Sequence, residues 1–436
     1  MRIRAACNQT AYFFIRRFST MKRKPIMYAA IALVLSARIF ADMQTDLIPL
    51  TVRLGNKVEQ TGGFFDLAGA TYPSKAQVIT ISDETHPNPV KKRQAFTRAI
   101  SGDKSKVILL EGTIDLSDGK ISDSDHSYYD AFDKTTHKRL HADIVFDIGS
   151  NTTILGTKNA RIAFGGLRIK ASEKQKAENI IIRNVEFYDA HGSTEYDTSV
   201  PEYKNEKASA DQLVVEGTFE KGKYTSDYIP RNIWVDHCTF SDGTCRDLSR
   251  NFNHDGALDV KAVHNMTISF CEFHNHDKVT LIAPSDKFTN PTDRQITIHH
   301  NYYHDATQRM PRTRGCEVHL YNNVYDKIGN PENSGYSISP GIGAQFIVEN
   351  NVFGQHAGKM ILRCADKSKP GDATFYKLFA SGNIPELSEK NAEDFARHSV
   401  SEKPFAVPYK YNLEDAKSGE RTTLSNAGSI LEITVE

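Results

Sequence analysis

Four strand-like stretches carry charge: ADQLVVEG from Ala210, HDGALDVK from His254, HDKVTLIA from His276 and QRMPRTRG from Gln308. If each is one run of a separate coil in a stack of parallel strands, Asp211, Asp255, Lys278 and Arg309 share one face, about 4.8 Å apart from coil to coil. The row then spans roughly 14 Å. That length suits a groove holding several units of a polymer better than a pocket for one small molecule. The row is acidic at one end and basic at the other. A metal on the acids and an anion on the bases would account for both halves.

Such a row needs strands that repeat, and they are present. A nine-residue pattern occurs six times, at 179–187 (NIIIRNVEF), 232–240 (NIWVDHCTF), 265–273 (NMTISFCEF), 295–303 (QITIHHNYY), 317–325 (EVHLYNNVY) and 345–353 (QFIVENNVF). Apolar residues hold the second and fourth places and an aromatic holds the ninth. The pattern predicts a short strand, a corner and a second inward anchor. Repeats at this spacing mark a solenoid, in which no unit buries its apolar face alone. The seventh place reads Val185, Cys238, Cys271, Asn301, Asn323 and Asn351, so like residues stack on like. The expectation is an all-β parallel β-helix. Residues 89–101 (PVKKRQAFTRAIS) have helical spacing at Val90, Phe96 and Ile100 and are expected to cap its first coil.

The 436 residues are 39% hydrophobic, enough for a large core, and solenoids escape the usual limit on core size because each repeat touches only its neighbours. Lys plus Arg equals Asp plus Glu at 54 each, which argues against a generic nucleic-acid binder. Anion recognition must therefore be local.

Residues 1–41 read as an export signal, with a start at Met21: a basic run from Met21 to Lys24 precedes an apolar stretch at 26–35 that is too short to span a bilayer. The product would be secreted, extracellular or periplasmic, with no membrane attachment afterwards. Loss of Cys7 leaves Cys238, Cys245, Cys271, Cys316 and Cys364, an odd number. Cys238 and Cys271 fall at inward places, and only Cys245 is placed for a loop disulfide. The β-helix domain is expected over 42–400, with a tail at 401–436 either packed on it or partly disordered. Polar stretches at 117–141, 190–209 and 217–231 are long for turns, and such insertions gather on the binding face of solenoids.

The residues IWVDHCTFSDG, HDGALDVK, HNHDKVTLI and RMPRTR followed by VHLYNN resemble the pectate lyase family of calcium-dependent, right-handed parallel β-helix enzymes. Weaker similarity extends from about 105 to 355. The resemblance implies calcium at Asp211, Asp255 and Asp259, Arg309 as catalytic base, and Lys278 and Arg314 on the carboxylates of a polygalacturonate chain. The enzyme would act as a monomer. Two departures stand out. Cys316 is one place late for a glycine common after the arginine cluster, and Ala283 stands where a glycine often follows LI.

The chemistry is coherent without the name. In galacturonate polymers a carboxylate sits beside the proton that β-elimination removes, so neutralising it stabilises the developing carbanion. Calcium takes six to eight oxygen ligands, and three Asp carboxylates supply part of that shell. Asp255 and Asp259, four apart in DGALD, share a face if the segment is a strand. An arginine base is the hard point: with an ordinary pKa of about 12.5, roughly one guanidinium in three thousand is neutral at pH 9, a cost of ~5 kcal/mol. Neighbouring positive charge must lower it. Arg312, alternating to the other face, is expected to be structural and to pair with an acid elsewhere.

Weaker signals have blander readings. His274, His276, His299, His300 and His304 lie in repeat strands without a complement of Cys or carboxylate, so they read as structural rather than zinc-binding. Asp236 and His237 occupy a structural corner. Trp234, at the outward third place, packs under an insertion or offers its face to a sugar. Two other functions compete: a polygalacturonase-type hydrolase, which needs paired carboxylates but no basic cluster, and a non-catalytic carbohydrate-binding β-helix.

Overall fold

The sixth place of each nine-residue copy turns the chain. Asn184, His237, Phe270, His300, Asn322 and Asn350 all have φ between 47° and 58°, the left-handed region that Asn and His tolerate better than most residues. In the computed structural model, which describes residues 47–204, 210–219, 228–244, 254–329, 335–356, 360–363, 375–390 and 392–436, these turns form one corner of a parallel β-helix.

Three parallel ladders run along it. One joins Glu178–Arg183, Arg231–Asp236, Val263–Ser269, Arg294–His299, Cys316–Tyr321, Ala344–Glu349 and Lys377–Ser381. After the corner, a second joins Glu186–Tyr188, Thr239–Ser241, Glu272–Lys278, Tyr302–Gln308, Val324–Asp326 and Val352–Phe353. The third joins Val145–Asp147, Gly166–Lys170, Leu213–Glu216, Leu258–Val260, Leu281–Ile282 and Arg312–Thr313. The charged stretches lie along that third ladder and at its approach, where His276 to Lys278 and Gln308 still belong to strands of the second.

Each repeat place has a ladder of its own. The ninth-place rings, from Phe187 through Phe240, Phe273, Tyr303 and Tyr325 to Phe353, stack with centroids 4.7 to 5.0 Å apart. That is the spacing of parallel strands, so the backbone repeat and the ring stack support each other. At the seventh place the Asn323 carboxamide oxygen accepts from the backbone and side chain of Asn301, and Asn351 does the same for Asn323. Buried amides are thus satisfied by the next coil. Phe240 has a ring on both sides, and Phe240→Ala is expected to destabilise the fold by about 3–5 kcal/mol. Urea unfolding measures this; a loss below about 1 kcal/mol would show that the stack contributes little.

The helix Pro89–Ile100 buries Phe96 and Ile100 in the main core, as its spacing predicts, whereas Val90 is 39% exposed. Asn88 caps the start of the helix, its side chain accepting from the Lys91 N–H. Val90 lies in the first turn, where the helix enters from solvent.

The outward third place is covered. Trp234 is 2% exposed, stacks on Phe65 and donates to Ser269 Oγ, so it faces protein rather than sugar. Thr267 and Thr297 accept from the backbone of Phe65 and Phe64. Residues 401–436, which lack periodicity, are part of this cover: Tyr409 bonds Thr297 and His319, and Leu431–Val435 pairs in parallel with Ile48–Val52. Cys238, Cys271 and Cys316 are free and buried, while the export signal and Cys245 lie outside the described residues.

Candidate active site

Two carboxylates, Asp211 and Asp259, close on Gly256, and a third belongs to its chain neighbour Asp255. Asp211 precedes Leu213–Glu216, Asp255 precedes Leu258–Val260, and Asp259 lies within that strand. The Gly256 N–H donates to Asp211 Oδ1 at 2.7 Å. A Cβ at Gly256 would stand 2.4 Å from Asp259 Oδ1 and 2.8 Å from Asp211 Oδ1, so only a bare backbone fits between the acids. The strand starts after Asp255, so simple alternation does not set the two acids of DGALD on one face, although the charge of Asp255 is felt at Asp259. Leu281 N–H holds Asp259 Oδ1 at 2.8 Å.

The acids repel one another. Burial, then the charges of Asp259 and Asp255, push the Asp211 carboxyl well above the carboxylate range. Burial and Asp255 raise Asp259 to about 6, against the pull of the Leu281 N–H, Arg309 and Lys278. A divalent cation would relieve that repulsion, and an all-oxygen donor set around an open cradle fits a hard ion such as calcium. The sign of the linkage follows. Without metal, native Asp259 holds a proton that the unfolded chain, at the ordinary 3.8, releases, so this group lowers stability as pH rises from about 4 to about 6. In chelator, Asp259→Asn should therefore be more stable than the wild type at neutral pH and lose that advantage near pH 4. Calcium should reverse the order at neutral pH. An unchanged difference across pH in urea unfolding contradicts this.

The bases come from the next two coils. Gly256 pairs with Lys278, and Lys278 with Gln308. Lys278 is 3% exposed and its Nζ donates to Asp255 Oδ1. Arg309 follows Gln308 with φ 67°, turning out of the strand, and its backbone oxygen accepts from Thr280 N–H at 2.7 Å. Its Nε is buried without a hydrogen-bond partner. The structure thus gathers Asp211, Asp255, Asp259, Lys278 and Arg309. Arg314 stands at the edge, with Nε on Asp286 Oδ1 at 2.8 Å and a second bond to Ala283 O.

Arg312 departs from expectation. Its Nε is buried without a partner, and among the described residues no ion pair ties it to an acid. Burial, together with the charges of Arg314 and Arg309, lowers its pKa. It belongs to the basic cluster, because Met310–Pro311 interrupts the strand alternation that would have turned it away. Ala283, in place of the expected glycine, sits at φ 65° in the left-handed region, where a Cβ is disfavoured.

The strand histidines are engaged structurally: His276 bonds Asp242 and Asp255 O, His299 bonds Thr61 O, His274 stacks on His304, and His304 bonds Glu272. His276 braces the backbone of Asp255, a supporting role that its sequence neighbours did not reveal. Asp236 is buried between Arg183, His237 and Ser269. Elsewhere, His126, Asp189 and His191 bring metal-ligating atoms within 4.8 Å of one another.

Residues 55–429 match the pectate lyase family. The chain is 30% identical to a pectate lyase of Bacillus subtilis (strain 168), covering 82% of this chain and 88% of the relative. It is 31% identical to pectate lyase E of Dickeya chrysanthemi, covering 77% and 83%. A thermostable pectate lyase of known structure superposes with a TM-score of 0.63 at 25% identity, covering 86% of this chain and 98% of the other. A pectate lyase bound to a hexasaccharide superposes with a TM-score of 0.62 at 23% identity and the same coverage, a likeness of fold. The carboxylates around Gly256, the bases beside them and the parallel β-helix that holds both thus stand in a chain that belongs to the pectate lyase family of polysaccharide lyases.

Proposed function

We propose that the enzyme cleaves demethylated polygalacturonate by β-elimination, with calcium held at Asp211, Asp255 and Asp259. The observation that supports this reading is the pair of carboxylates closed on Gly256, with Asp255 acting on both by its charge and with Arg309 near enough to act on Asp259. Arg309 takes the proton from the carbon that bears the carboxylate. The electron pair left behind forms a double bond to the neighbouring carbon, whose glycosidic oxygen departs and acquires a proton. Lys278 and Arg314 grip sugar carboxylates, Arg314 by exchanging its Asp286 partner for substrate. Calcium, when bound, supplies positive charge to the reacting carboxylate.

Methyl esters remove the charge that the bases and cation would bind, so the reading favours demethylated chains. A hydrolase would need one acid held protonated opposite a second across the bond, and the basic cluster has no part in that scheme. The export signal read at 1–41 supports action outside the cytoplasm. Product analysis tests the reaction class: elimination gives oligogalacturonates that are lighter by one water than hydrolysis products and absorb in the ultraviolet. Reducing ends without that absorbance would assign a hydrolase.

A further inference from the structure

Outside the acid cradle, a second group of ligating side chains meets where two insertions fold together. His126 precedes the short turn Ser127–Asp130 in one insertion, and Asp189 and His191 lead into the other. The insertions are joined by Arg139, whose Nε donates to Thr194 O and whose N–H donates to Glu195 O. Asp189 is fully buried. Its Oδ2 lies 2.8 Å from His126 Nε2, and its Oδ1 lies 2.7 Å from His254 Nε2 and 3.9 Å from His191 Nδ1. The His126 and His191 rings are parallel within 10° at 4.2 Å.

One atom in this group is unexplained by the protein alone. The His191 side chain is 3% exposed, yet among the described residues its Nδ1 has no hydrogen-bond partner, and it lies 3.9 Å from Asp189 Oδ1. Buried polar nitrogens are normally satisfied, and each exception calls for an account. Two imidazole nitrogens and one carboxylate oxygen within 4.8 Å of one another are the donor set of a three-ligand divalent site. Imidazole selects zinc-like ions over calcium, which takes oxygen. His254 on the other carboxylate oxygen is the outer support that ligating carboxylates commonly have. The His126 side chain, 24% exposed, gives an ion a way in and leaves room for water as a further ligand.

We infer that His126, Asp189 and His191 bind a borderline divalent cation of the zinc class, at a site distinct from the carboxylate cradle. Binding needs the His126 Nε2 lone pair, so a neutral His126 ring carries its proton on Nδ1 and gives up its hydrogen bond to Asp189. The ion would staple the insertion bearing His126 to the segment bearing His191. That segment touches the cradle's coil, since Gly192 packs against Ala210, the neighbour of Asp211.

The test uses untagged, chelator-stripped protein with calcium in excess, so that the cradle is occupied before zinc is titrated by calorimetry. Cobalt, added in its place, reports imidazole ligation through its visible absorption. Stoichiometric zinc binding is expected, weakened at least about tenfold by His191→Ala and unchanged in Asp255→Ala. His126→Ala provides a second variant at a partly exposed position, with the same expected loss. Circular dichroism verifies that each variant is folded. Zinc binding equal in the wild type and both folded histidine variants overturns the inference, as does loss of zinc binding in Asp255→Ala.

Discussion

Arg309→Lys is expected to lose turnover by about 10²–10⁴-fold, the range a positioned base contributes, while oligogalacturonate binding persists. The substitution keeps the positive charge but not the planar guanidinium or its reach. Lys278 remains buried beside Asp255 and Arg314 remains on Asp286, so the proposed partners of the polymer's carboxylates are unchanged. Single-turnover rates at saturating, defined oligogalacturonates separate this loss from a loss of binding. Near wild-type turnover across alkaline pH would make Arg309 a clamp and send the search for the proton acceptor elsewhere in the groove.

Gly256→Ala tests the cradle without removing a carboxylate. The backbone there does not lie in the left-handed region, so alanine meets no conformational barrier, and the effect is confined to the 2.4 and 2.8 Å contacts with Asp259 and Asp211. Those side chains must move apart. The calcium concentration for half-activity should rise on the order of 10–100-fold, as when the support of a metal ligand is disturbed, with the circular dichroism of the β-helix retained. Unchanged calcium dependence would remove Asp211 and Asp259 from the metal site. Asp255→Ala should raise the requirement too, and it also frees Lys278 from its ion pair, so the glycine variant is the cleaner probe.

The repeat was readable because a parallel β-helix turns sequence periodicity directly into vertical neighbours. Phe240 over Phe273 and Asn301 over Asn323 follow from counting nine. The charged row was readable only in part: Asp211, Asp255, Lys278 and Arg309 do lie on successive coils, but the register pairs Lys278 with Gly256 and Gln308, each one place away from Asp255 and Arg309. What the periodicity does not encode was missed. Strand alternation turns Arg312 away from Arg309, but residues 309–311 lie between strands, and Gly256 has no side chain to signal that it spaces two acids. The tail at 401–436 packs on the outer face through Tyr409 and Leu431, whose partners lie over a hundred positions away in some cases and share no repeat with it. The group of His126, Asp189 and His191 joins two insertions that no period connects.

Calcium-assisted elimination at the Gly256 cradle is tested by one time course. Polygalacturonate is incubated with the mature enzyme while ultraviolet absorbance is followed, first with calcium, then after excess chelator, then after calcium is restored. Absorbance is expected to rise, stop on chelation and resume on restoration, in parallel with new reducing ends throughout. Undiminished absorbance gain in excess chelator, or chain cleavage with no absorbance gain at all, would contradict calcium-assisted elimination.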